Sequence, residues 1–88
     1  MKILYLDLGY GVMPTVLWKG FKTFNRHTYL KSYPLSMTYM EIADDVIQCM
    51  KQPHLADCKL VVNTTCIGQP VIDFLRKAAP TLAIEETT

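Results

Sequence analysis

The apolar residues of this chain change their spacing partway along, and the point of change limits the folds it can adopt. Up to residue 33 the apolar runs are short and strand-like. Ile3 to Leu8 is rich in Leu and Ile and stops at Gly9-Tyr10-Gly11, which marks a buried strand. Thr15 to Trp18 is β-prone, with a turn expected at Lys19-Gly20 and Phe21 to Phe24 extending the hairpin. Thr28 to Tyr33 alternates as a third strand, and Pro34 ends it. From Thr38 the period lengthens to that of a helix. Thr38-x-x-Glu41 fits a capping box, in which each side chain satisfies a free backbone donor. Ile42, Ala43, Val46, Cys49 and Met50 then share one face, and Pro53 closes the helix. Lys59 to Asn63 is a further apolar strand. Gly68-Gln69-Pro70 opens a second helix with a buried stripe of Val71, Phe74, Leu75 and Ala78, stopped by Pro80. Thr81 to Ile84 reads as a last strand and Glu85 to Thr88 as a frayed tail.

The element order is therefore β-β-β-α-β-α-β. Three strands joined by short turns imply an antiparallel meander, whereas strands reached through a helix imply right-handed parallel crossovers. The fourth and fifth strands should lie beyond the first, with both helices packed on the sheet. That is the order of an α/β, ribonuclease H-like mixed sheet. With 88 residues there is room for one domain, residues 1–88, and one modest core.

Nine Lys and Arg against eight Asp and Glu leave a formal charge of +1, so bulk charge points to neither nucleic acid nor membrane. The cysteines, Cys49, Cys58 and Cys66, are odd in number and irregularly spaced. A reduced, cytoplasmic protein is expected rather than a disulfide scaffold. Asp7, Lys31, Asp44 and Lys59 break the apolar stretches well short of a bilayer span, so no membrane partner is expected. The start, MKILYLDLG, enters a strand almost at once and carries no cleavage signal.

Three stretches carry a more specific likeness: LYLDLG at Leu4 to Gly9, YLKSYPLSMTYMEIADDV at Tyr29 to Val46, and KLVVNTTCIGQPVIDFL at Lys59 to Leu75. Together they resemble the nuclease domain of phage terminase large subunits, the DNA-packaging proteins, whose last such motif commonly reads V-V-D-x-T-G-x-G-x-P-V-x-D. The likeness covers roughly residues 1 to 80 and only the N-terminal half of that domain, so a truncated ribonuclease H-like domain is expected. Asp-x-Gly after a strand also occurs in sugar kinases, actins and Holliday-junction resolvases, but the Gly-rich hairpin of a phosphate-binding kinase is missing here.

The resemblance implies a catalytic and metal position at Asp7 and a degenerate one at Asn63, where the family has its second carboxylate. Two-metal phosphodiester hydrolysis needs carboxylates that hold Mg²⁺ or Mn²⁺ roughly 4 Å apart, and rigid neighbouring strands supply that separation. An amide oxygen at residue 63 brings no charge. At contact distance and an effective dielectric near 20, the lost attraction is about 4 kcal/mol before desolvation offsets part of it. The family's remaining acid lies on a helix after the fifth strand, beyond Thr88. The expectation is a nuclease-domain remnant, inactive alone, that holds Mg²⁺ or Mn²⁺ weakly and no other cofactor. The alternative is a non-catalytic protein- or nucleic-acid-interaction module of phage origin. The implied partners are DNA and a second copy of the chain, the latter meeting it through the last strand or the uncovered sheet face. No small-molecule substrate is expected.

Other side chains have plainer readings. Thr64 and Thr65 beside Asn63 satisfy backbone groups in a strand-to-helix loop, and Gly68 serves the turn into the second helix. Asp73 suits the start of a helix through its dipole. Lys19, Lys22, Arg26, His27 and Lys31 form a basic group around the hairpin, best explained as a solvated strand face. Cys49, His54, Cys58 and Cys66 do not reproduce zinc-ligand spacing. Glu85 and Glu86 are stray carboxylates near the sheet end.

Overall fold

A computed structural model describes residues 2–10, 12–21, 27–63 and 69–87. Five strands and two helices follow in the order β1 (Lys2–Asp7), β2 (Val16–Phe21), β3 (His27–Ser32), α1 (Tyr39–Met50), β4 (Lys59–Asn63), α2 (Gln69–Ala78) and β5 (Ile84–Thr87). They form one mixed sheet in the order β3-β2-β1-β4-β5. β1 pairs antiparallel with β2 and β2 antiparallel with β3, while β1 pairs parallel with β4 and β4 parallel with β5. The fourth and fifth strands lie beyond the first, as the alternation of strand and helix requires. Among the described residues no helix is long and apolar enough to cross a membrane.

Two strands depart from the sequence expectation by more than one residue at their ends, while β1 and β3 shift by one. β2 runs straight through Lys19-Gly20, where a turn was expected, because Gly20 sits mid-sheet between Ile3 and His27. The connection from β2 to β3, including Phe24, lies outside the described residues. β5 is Ile84–Thr87 rather than Thr81 to Ile84, because Pro80 does not release the chain into a strand directly. Leu82 N–H instead donates to Ala79 O in a turn, and the ladder begins with Leu60 N–H donating to Ala83 O. Glu85 and Glu86 are therefore strand residues and not tail.

Strand alternation sorts the side chains onto two faces. Leu4, Leu6, Leu17, Leu60 and Val62 face both helices and form the core with Ile42, Ala43, Val46, Val71, Ile72 and Leu75. The opposite face bears Ile3, Tyr5, Asp7, Trp18, Val61 and Asn63, and among the described residues neither helix covers it. α1 keeps its expected stripe, although Cys49 is only half-buried. α2 buries Val71, Ile72 and Leu75 and leaves Ala78 exposed, contrary to expectation, because α2 packs on α1 as well as on the sheet and its buried side therefore takes in Ile72.

The ends of α1 are fixed by polar contacts. Thr38 Oγ accepts from Glu41 N–H at 3.2 Å, and Glu41 Oε1 accepts from Thr38 N–H at 2.9 Å. The Thr38 backbone and side-chain donors hold the Glu41 carboxyl below its ordinary pKa. One turn on, Asp45 Oδ2 accepts from Lys31 Nζ at 2.7 Å and from Tyr33 Oη at 2.8 Å, tying α1 to the β3 edge. Lys31 reaches inward because of a bulge. Leu17 pairs with Lys31 but Trp18 pairs with Tyr29, so Leu30 is the extra residue, and both Leu30 and Lys31 turn to the helix side.

Candidate functional site

β1 and β4 are parallel neighbours, so residues that end them on the same face must converge. The register pairs Asp7 with Asn63, and Asn63 Nδ2 donates to Asp7 Oδ1 at 3.2 Å. The geometry expected from the sequence is present: one carboxylate and one amide, side by side on the face without helices. Tyr5, two residues earlier on β1, joins them. Burial raises its hydroxyl pKa most, the Asp7 charge raises it further, and a hydrogen bond with Asn63 works against both. Tyr5 therefore remains a neutral phenol at ordinary pH. Sequence reading did not single it out, though its place two residues before Asp7 in a strand fixes the shared face.

Aromatic rings extend the site across the same face. Trp18 meets Tyr29 edge-on, with ring centroids 5.8 Å apart, and Tyr5 meets His27 at 6.1 Å. Gly20 has no side chain between them, which lets the His27 ring reach across β2. Tyr5, Trp18 and His27 line a cleft of about 400 Å³ beside the polar pair. Val61 is buried here, and Lys59 and Glu85 close the far side with an ion pair at 3.4 Å.

The glycine of Asp-x-Gly has its own structural cause. A Cβ at Gly9 would collide with the backbone of Met13 and Pro14. Gly9 N–H donates to Thr15 Oγ at 2.9 Å and its carbonyl accepts from Tyr39 Oη at 2.8 Å. Close approach of the Met13 and Pro14 backbone alone demands glycine there.

The remaining candidates disperse. Glu85 stands on the Asp7 face, whereas Glu86 stands on the helix face and meets Arg76 at 3.6 Å, so the two glutamates do not act together. Asp73 lies in the second turn of α2 and accepts from Gln69 Nε2 at 2.8 Å, a local helix pair rather than a terminal dipole contact. The basic group splits: Lys31 is committed to Asp45, His27 lies against Tyr5, and Lys19 faces the helix side. Lys22, Arg26, Thr64, Thr65, Cys66 and Gly68 lie outside the described residues. Cys58 is buried in the core and Cys49 lies 3.8 Å from Asp45, both thiols pushed up chiefly by burial. Among the described residues no group of three or more His, Cys, Asp and Glu side chains is placed to hold a metal ion. The chemistry open to the Asp7–Asn63 pair is thus one hard oxygen ligand with charge, one without, and a phenol beside them.

No protein-family model matches this chain, and no curated protein matches it.

Proposed function

We propose that this chain is a ribonuclease H-like domain of phage terminase type whose two-metal site is degenerate, so that alone it does not hydrolyse phosphodiesters. The observation that carries this reading is the contact of Asn63 with Asp7 at the shared end of two parallel strands. A two-metal centre placed there would need several negative charges, and this pair supplies one. The amide also donates a hydrogen bond to the carboxylate, so a cation arriving at Asp7 must displace that bond first. The sheet order and the match of the three sequence blocks support the same reading.

Manganese titration, followed by calorimetry, tests it. The natural chain is expected to bind Mn²⁺ weakly and to leave single- and double-stranded DNA intact. Asn63→Asp should raise Mn²⁺ affinity roughly ten-fold or more, since it restores a charge of about 4 kcal/mol gross attraction at contact distance. Asp7→Ala should abolish that gain. Without metal, Asn63→Asp should be less stable than the natural chain by about 1 kcal/mol, because like charges then stand opposite on adjacent strands. Cleavage by the natural chain, or an Asn63→Asp variant with unchanged Mn²⁺ affinity, would overturn the proposal.

A further inference from the structure

Among the described residues, the four most exposed large apolar side chains gather beyond the Asp7 end of the sheet. Val12 is 85% and Leu35 62% exposed, with Tyr10 and Met13 between them. They sit on two loops, one joining β1 to β2 and the other joining β3 to α1. Tyr33 N–H donates to Thr15 O at 2.9 Å and Tyr39 Oη donates to Gly9 O at 2.8 Å, which ties the loops together. A cavity of about 320 Å³ lies there, lined by Met13 and Leu35 together with Pro34, Met37 and Ile42. Thioether side chains are supple, so Met13 and Met37 let the wall fit guests of differing shape. An apolar patch of this kind marks a surface that another molecule covers.

Charge selects the kind of molecule. Residues 3–18 and 32–50 contain Asp7, Glu41, Asp44 and Asp45 and no Lys, Arg or His. Lys31, at the margin, is already bound to Asp45. Glu41 stands at the rim, since its side chain accepts from Thr38 N–H and Thr38 lines the cavity. A phosphate or an anionic lipid surface would meet that carboxylate without a cation to offset it. A second copy, related by a two-fold axis, would set the acidic patch against itself. A cationic partner is the complement. The backbone then narrows its shape. The N–H groups of Gly9, Met13, Tyr33 and Met37 already donate within the two loops. An extended peptide finds those donors spent, whereas a helix satisfies its own backbone.

We infer that this cavity docks a basic amphipathic helix of a partner protein. One bulky apolar side chain enters between Met13 and Leu35, and the Lys or Arg residues of the helix lie toward Glu41. Ile42 places the cavity on the helix side of the sheet, whereas Asp7 and Asn63 stand on the other face. The inference is therefore independent of the nuclease reading.

Fluorescence anisotropy of the full chain with a labelled leucine–lysine amphipathic peptide, about five turns long, tests it. The peptide should bind, and difference circular dichroism should show it gaining helix. A leucine–glutamate peptide with the same apolar face should not bind. Leu35→Ser should weaken binding roughly ten-fold, the worth of a leucine lost from a buried contact. Glu41→Gln keeps a side chain able to cap Thr38 but removes the charge, so affinity should fall about two-fold at low salt. That difference should vanish at about 1 M salt. Asp57→Asn removes the same charge beside Lys2, at the far end of β1, and should change nothing. Circular dichroism melts confirm that each variant is folded. The inference fails if the lysine peptide does not bind, if it binds without gaining helix, or if Asp57→Asn acts like Glu41→Gln. Capture of the chain by phosphatidylcholine vesicles, lost in Leu35→Ser, would overturn it in favour of a lipid surface. A dimer that Leu35→Ser dissolves would overturn it in favour of a second copy.

Discussion

At the scale of single residues, Asp45 carries a contact between helix and sheet that lies apart from the site pair. It accepts hydrogen bonds from Lys31 and Tyr33, and with them anchors α1 to the bulged edge strand. Asp45→Asn keeps the shape and removes the charge. It should cost about 1 kcal/mol at neutral pH, a value discounted for the partial exposure of the Lys31 pair. The pH dependence has a definite sign. The Lys31 ammonium holds the Asp45 carboxyl below its ordinary pKa; burial opposes it, and the Tyr33 hydroxyl adds a smaller lowering effect. Its contribution is therefore complete above the unfolded carboxyl's pKa of about 4 and fades as pH falls through the lower folded value. Urea titrations should show the gap between natural chain and variant at pH 7 and a smaller gap at pH 2. At the alkaline end, burial pushes the Tyr33 hydroxyl up, and Lys31 is raised by the same carboxylate. The unfolded chain loses those protons first, so stability declines once pH rises past about 10.

Elements show why some features could be read from the chain and others could not. The capping box of α1 was plain in Thr38-x-x-Glu41, because it depends on residues three apart and on nothing distant. Thr38→Ala should lower stability by about 1 kcal/mol, seen as a lower urea midpoint at constant slope. An unchanged midpoint would mean that tertiary packing alone holds that end of the helix. Strand identity and the convergence of residues 7 and 63 were equally accessible, since parallel pairing follows from strand-helix-strand order and faces follow from alternation. The course of β2 was not. Lys19-Gly20 has turn chemistry in isolation, and only its neighbours Ile3 and His27 make it a strand. The bulge at Leu30 was hidden for a similar reason, because a bulge is a property of two strands together. It decides that Lys31 serves α1 and that Leu30 turns to the helix side.

For the molecule as a whole, the decisive asymmetry is that both helices sit on one side of a five-stranded sheet. Among the described residues the other side presents Tyr5, Trp18 and Tyr29 without a covering element, and Tyr29 is 53% exposed. β3 and β5 form the two edges of the sheet, and edge strands invite pairing with another chain. Burying aromatic surface is favourable by about 25 cal/mol per Å², so two such faces gain by meeting, and a two-fold axis closes the assembly at two copies. We therefore expect a homodimer through this face. Light scattering on a sizing column should give the dimer mass at high concentration and a falling mass on dilution. Trp18, the single tryptophan of the chain, should shift its emission to the red as the face returns to water. Tyr29→Glu places a charge in the middle of that contact and should leave a folded monomer at every concentration tested. Persistence of the dimer in Tyr29→Glu would move the interface to the β5 edge, and a natural chain that is monomeric throughout would refute self-association.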